Sequence, residues 1–156
     1  MLLPAPQEHA REIYGACMRI VPIINQHNNY SCGEACVESI LKYYGENVKD
    51  LKFASAEDGA APRQIEYQLR SRDFNVLSGN MDWLTVRYWL RRKVPIIVCY
   101  EGHWVILIKT YNRSILIMDP ALIDYQTMSI VKFRKLWFDY DTMGTSYKNW
   151  GIIAYG

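Results

Sequence analysis

Apolar positions recur along the chain with two different periods. Between residues 32 and 44, Ala35, Val37, Ile40, Leu41 and Tyr44 follow a helical spacing and predict an amphipathic helix. Ser31 precedes it as an N-cap, Glu34 completes the capping-box pattern, and Gly45 follows the last apolar position, as helix-ending glycines do. A second helix is predicted from Pro62 in PRQIEYQLRSR, with Ile65 and Leu69 four apart. A third, WLTVRYWLRRK, follows Asp82 as its cap and ends in basic residues, as the helix dipole favours. Residues 6–17 read as a further helix. Residues 18–24, interrupted by Pro22, read as a short edge strand or an extended lead-in, and residues 46–60 as irregular or a short helix.

Beyond Lys93 the pattern changes to aliphatic runs: 94–100 (VPIIVCY), 103–109 (HWVILIK) and 114–118 (SILIM). The connections EG and YNR are short enough for hairpins, which makes the pairing antiparallel. FNVLS and the terminal WGIIAY are further strands, and Ser129 can cap a short helix in SIVKFRKLWF. Helices that lead and strands that follow make an α+β pattern, not alternating βαβ units.

Composition narrows the class. The 156 residues suit one domain, expected to span 1–156 with 1–19 as a helical extension, and 50% hydrophobic against 22% charged residues excludes a disordered chain. Lys plus Arg number 18 and Asp plus Glu 16, and this even balance gives no general reason to expect nucleic acid or an anionic membrane as partner. No run of about 18 apolar residues occurs. Four cysteines, Cys17, Cys32, Cys36 and Cys99, are too few for a disulfide scaffold. A cytoplasmic protein with reduced thiols is expected, and the question becomes what those thiols do.

Cys32 is placed to open the first predicted helix, where unpaired N–H groups and the positive dipole end favour a thiolate. Gly33 beside it permits close approach of a substrate. A thiolate nucleophile works with a base, usually histidine, and the chain offers His9, His27 and His103. His9 reads as a helix-surface residue and His27 as a polar-loop residue five positions before Cys32, whereas His103 opens an apolar strand straight after Gly102. With a hairpin centred near residues 111–112, position 103 pairs with about 119–121, so Asp119 becomes a neighbour able to orient the imidazole. Gln26, Asn28 and Asn29 all lie where a side-chain amide could join the Cys32 N–H in an oxyanion hole. A zinc set of Cys32, Cys36, His27 and His103 lacks the usual ligand spacing, and no cofactor or metal is expected. The basic run Arg87, Arg91, Arg92 and Lys93 reads as a solvated helix end.

These segments resemble the C39-type (double-glycine leader peptidase-like) cysteine peptidases of papain fold. QHNNYSCGEACVESILKYYG is similar to their nucleophile segment, with Gln26 six residues before Cys32 and Tyr43-Tyr44-Gly45 at the helix end. DGAAPRQIEYQLRSRDFNV, VPIIVCYEGHWVILI, ILIMDPA and SIVKFRKLW follow in the family's order, over about residues 20–154. The resemblance implies a helical lobe carrying Cys32 packed on an antiparallel sheet carrying His103 and Asp119. It implies Cys32 as nucleophile, His103 as base and later acid, Asp119 as its orienting group and Gln26 as oxyanion donor. Gly33, Gly102 and Trp104 would line a cleft for an extended peptide. The chain differs from the family in having Ser31 for a common Asp, Glu34 for a common Pro and Asp73 for a usual Gly. With no transporter segment or P-loop string, a stand-alone peptidase acting on a peptide or protein is expected. Acyl transfer or deamidation on the same scaffold, and a non-catalytic peptide-binding module, are the alternatives.

Overall fold

The computed structural model describes residues 19–54, 59–140 and 146–156. The helices predicted from the 3.6-residue period are present as α1 (Cys32–Tyr43), α2 (Pro62–Arg70) and α3 (Trp83–Arg91). Gly45 takes φ 77°, so Glu46 N–H reaches the Leu41 carbonyl at 2.8 Å and Gly45 N–H the Lys42 carbonyl at 3.1 Å, the double closure of a Schellman end. Asp73 adopts φ 65° after α2, a left-handed position that Asp tolerates and Gly prefers. The Asp82 side chain accepts from Thr85 N–H at 2.7 Å and caps α3.

The capping box predicted at α1 is not made. Ser31 sits at φ −96°, ψ 20°, outside the extended region that aims a capping hydroxyl at the helix. Its oxygen accepts instead from His27 N–H (2.8 Å) and Asn28 N–H (3.2 Å). Glu34 Oε1 accepts from Phe53 N–H (2.8 Å) and Ala54 N–H (2.7 Å). Both side chains satisfy loop donors that have no ladder to join.

The remaining elements are β1 (Asn75–Asn80), β2 (Ile96–Tyr100), β3 (His103–Tyr111), β4 (Ser114–Met118), β5 (Gln126–Ser129), α4 (Ile130–Leu136), β6 (Phe138–Tyr140), β7 (Ser146–Lys148) and β8 (Trp150–Tyr155). Six strands form one antiparallel sheet in the order β1-β8-β2-β3-β4-β5, and β6 pairs with β7. Glu101 (φ 46°) and Gly102 (φ 76°) make the tight β2–β3 turn as predicted, because paired left-handed residues match the strand twist. Three strands escaped prediction: the segment QTMS of β5 has no apolar alternation and is a strand because β4 supplies its partner, while β6 and β7 are three residues each.

Alternate strand residues feed two cores. Ile97, Trp104, Ile106 and Met118 face α1 and α2, where they meet Cys36, Val37, Ile40, Leu41, Ile65 and Leu69. Ile96, Val98, Leu107 and Ile117 face α3 and α4, where they meet Val86, Leu90, Phe133 and Trp137. The architecture is α+β, with an antiparallel sheet as its centre. It differs from a simple helices-then-strands order, because β1 precedes α3, and α3 and α4 cover the second face of the sheet. Residues 19–26 contain no strand and run as the lead-in to α1. The predicted helix at 6–17, with His9 and Cys17, lies outside the described residues.

Candidate active site

Cys32 opens α1 and is 6% exposed. The helix is held against β3 by Cys36, Val37 and Ile40 on one side. Gly33 is needed by packing: a Cβ there would lie 2.5 Å from Ala60 Cβ and 3.3 Å from the Trp104 ring. The close approach at Gly33 is thus to the chain's own residues 60 and 104. Trp104 is 5% exposed and its indole N–H donates to the Ala60 carbonyl at 2.8 Å, which makes it a buried wall behind the cysteine. Gly102 is exposed in the turn that leads into His103.

The β3–β4 register pairs Ile106 with Met118 and Leu107 with Ile117, which sets the start of β3 beside the end of β4. There His103 Nε2 meets Asp119 Oδ1 at 2.5 Å. The same carboxylate oxygen also accepts locally from Ala121 N–H at 2.9 Å. With Nε2 engaged, Nδ1 is the ring nitrogen left for Cys32, whose nearness favours the charged imidazole. Burial of the ring opposes its charge and is the largest single influence. The bond to Asp119 and the nearness of Cys32, with the charges they bring, outweigh it and raise the His103 pKa from 6.5 to about 9. Burial likewise opposes ionisation of Asp119, yet the bonds from His103 and Ala121 hold its carboxyl below the usual 3.8. Cys36, one turn along α1, is fully buried, and its thiol is pushed well up, first by burial and then by the charges of Cys32, Asp119 and Cys99. Cys32, Cys36 and Cys99 are buried thiols in no disulfide.

Gln26 is brought to this place by a strap that the sequence did not reveal. Its backbone N–H donates to the Pro120 carbonyl at 3.0 Å. The Asn25 side chain donates to Pro120 O (3.3 Å) and Leu122 O (2.7 Å), Tyr125 O–H to Val21 O (2.6 Å) and Ser39 O–H to Pro22 O (2.6 Å). The lead-in to Cys32 is therefore tied to the loop that follows Asp119. The Gln26 side-chain nitrogen donates to Asn28 O at 2.7 Å, while its Oε1 is buried without a partner. Asn28 and Asn29 are exposed. His27 is exposed too, and lines a groove of about 560 Å³ with Ile24, Asn25, Glu34, Glu38 and Leu51, which includes none of Cys32, His103 or Asp119. Among the described residues no three His, Cys, Asp or Glu side chains gather as a metal set, so the combination of Cys32, Cys36, His27 and His103 is not assembled.

Tyr100 was not anticipated. It pairs with His103 across the β2–β3 hairpin, and the two rings stand edge to face at 6.5 Å. The predicted two-residue turn already implied this neighbour. Asn25, Ala60 and Tyr125 had no such signal, since their contacts lie between 44 and 104 residues away in the chain.

Residues 20–143 match the model of the peptidase C39 family. No curated protein is similar enough to match. Among solved structures, a double glycine motif protease from an AMS/PCAT transporter, in complex with the leader peptide, superposes with a TM-score of 0.68 at 17% identity, over 87% of this chain and 91% of that one. The peptidase domain of Streptococcus ComA, a bifunctional ABC transporter of a quorum-sensing pathway, superposes with a TM-score of 0.69 at 21% identity, over 87% and 99%. At these identities the likeness is one of fold. Among the described residues no helix is long and apolar enough to cross a membrane.

Proposed function

Since the chain belongs to the peptidase C39 family, we propose that it hydrolyses a peptide or amide bond through a thioester on Cys32. The observation that carries the reading is the His103 Nε2–Asp119 Oδ1 contact of 2.5 Å, with Cys32 near enough to join Asp119 in raising the His103 pKa. The Cys32 thiolate adds to the carbonyl carbon. As the C–N bond breaks, His103 transfers its proton to the departing amine and becomes neutral. Water then gives one proton to His103 and adds to the thioester, the C–S bond breaks to return the thiolate, and the carboxylic acid leaves and loses its proton to solvent. Asp119 keeps the ring oriented throughout, and its negative charge favours the imidazolium. The Cys32 N–H and the second proton of the Gln26 amide, whose first goes to Asn28, are the oxyanion donors.

A peptide is the substrate class, in keeping with the leader peptide bound by the transporter protease of the same fold. The test is cleavage of a peptide library by wild type and by Cys32→Ala, with products read by mass spectrometry in the presence and absence of an added amine. Hydrolysis by wild type alone, with no amine adduct, is expected. An amine adduct as the main product would reassign the chain to acyl transfer. Peptide binding that survives in Cys32→Ala, with no turnover by wild type, would make it a binding module.

A further inference from the structure

A net charge of +2 conceals a separation of charge. α3 with Lys93, together with α4, holds seven of the chain's 18 cations: Arg87, Arg91, Arg92, Lys93, Lys132, Arg134 and Lys135. They hold none of its 16 acidic residues, so the rest of the chain, with 11 cations against 16 acids, is net acidic. These helices are far apart in sequence but cover the same face of the sheet. Trp83 of α3 lies 6.3 Å from Phe133 of α4, centroid to centroid, and the Arg134 guanidinium stands 5.8 Å from the Trp83 ring. All seven cations are exposed, and among the described residues none pairs with a carboxylate. The helix dipole accounts for cations in the last turns. It does not account for Lys132, which sits in the first turn of α4, where a cation is disfavoured.

The same helices expose apolar side chains. Leu84 is 73% exposed, Val131 66% and Tyr88 49%. Leu84, Arg87, Tyr88 and Arg91 form one outward stripe of α3, at spacings of three and four, opposite the buried Val86 and Leu90. Val131 projects outward between the buried Phe133 and the start of α4. We propose that this face docks on an anionic phospholipid bilayer, with the cations at the phosphates and Leu84 and Val131 inserted below them. Charge complementarity selects an anionic partner, and the aliphatic pair selects lipid over nucleic acid, because neither side chain reads a phosphate or a base. Tyr88 offers little stacking surface either, since the Arg92 guanidinium covers its ring at 3.4 Å. Cys32 lies on the helix packed against the other face of the sheet, so docking leaves it uncovered.

The experiment is co-sedimentation of the full chain with vesicles of phosphatidylcholine alone, or of phosphatidylcholine and phosphatidylglycerol in equal parts. Binding to the anionic vesicles alone, weakened by salt, is expected. Changing Arg87, Arg91 and Lys132 together to Gln is expected to weaken it about a hundredfold, at roughly fivefold per cation. Leu84→Ser with Val131→Ser is expected to weaken it roughly tenfold at unchanged charge. All five positions are exposed, and circular dichroism checks that the variants fold. Equal sedimentation with both vesicles, or binding indifferent to the Gln changes, overturns the proposal. So does tighter binding of a single-stranded oligonucleotide that the Ser pair leaves unchanged, which would assign the face to nucleic acid.

Discussion

His103 stands between two groups that favour its charged form, and its titration is where the site is most easily tested. Its folded pKa of about 9 lies above the ordinary 6.5, against the opposing effect of burial. Its contribution to stability is therefore complete below pH 6.5 and is lost as pH rises through about 9. Asp119, held below 3.8, acts at the other end: its contribution is present above 3.8 and disappears as pH falls through its lowered value. In a ring-proton NMR titration, the His103 midpoint is expected to fall in Cys32→Ala and again in Asp119→Asn, since each removes a partner that raises it. A midpoint indifferent to Cys32 would mean that sulfur and ring do not interact. For the same reason kcat/KM is expected to decline above about pH 9, where the proton donor for the leaving amine is lost. Gly33 tests the packing behind the cysteine. Gly33→Ala sets a Cβ 2.5 Å from Ala60 Cβ, and a cost of about 1–3 kcal/mol is expected in urea unfolding. Ala60→Gly should restore part of it, and no restoration would mean that the strain is relieved elsewhere.

At the scale of elements, helices were legible where an apolar stripe repeats every three or four residues, as in α1, α2 and α3. The end of α1 was legible too, because Gly45 supplies a left-handed residue that few others tolerate. Its start at Cys32 was legible as well, but not the contacts made there. Ser31 and Glu34 carry the capping pattern, yet both bond to loops whose arrival at that point no local pattern encodes. Glu34→Ala is accordingly expected to speed amide hydrogen exchange at Phe53 and Ala54 while leaving the first turn of α1 protected. Fraying of α1 with residues 53 and 54 unchanged would restore the capping role. Strand β5 was missed because its sequence has no apolar alternation and the β4 ladder alone makes it a strand.

At the scale of the molecule, the strap of residues 19–26 joins the lead-in to Cys32 to the loop after Asp119. Tyr125→Phe removes the donor to the Val21 carbonyl, and a loss of about 1–3 kcal/mol is expected for that unsatisfied group. Turnover should fall with it, because the strap carries Gln26; undiminished turnover in a destabilised variant would separate strap from chemistry. The order β1-β8-β2-β3-β4-β5 places the last strand inside the sheet, between β1 and β2, and α3 and α4 cover the face away from α1. The sequence by itself determined the helices and hairpins, the resemblance to the peptidase C39 family and, through the short β3–β4 turn, the meeting of positions 103 and 119. Those are consequences of local periodicity and turn length. The tertiary structure alone decided what Ser31 and Glu34 hold, why residue 33 is glycine, how residues 19–26 are tied to the loop after Asp119, and that α3 and α4 cover one face of the sheet. Each of these is a contact or juxtaposition between distant segments, set by sheet order and by which face each helix covers.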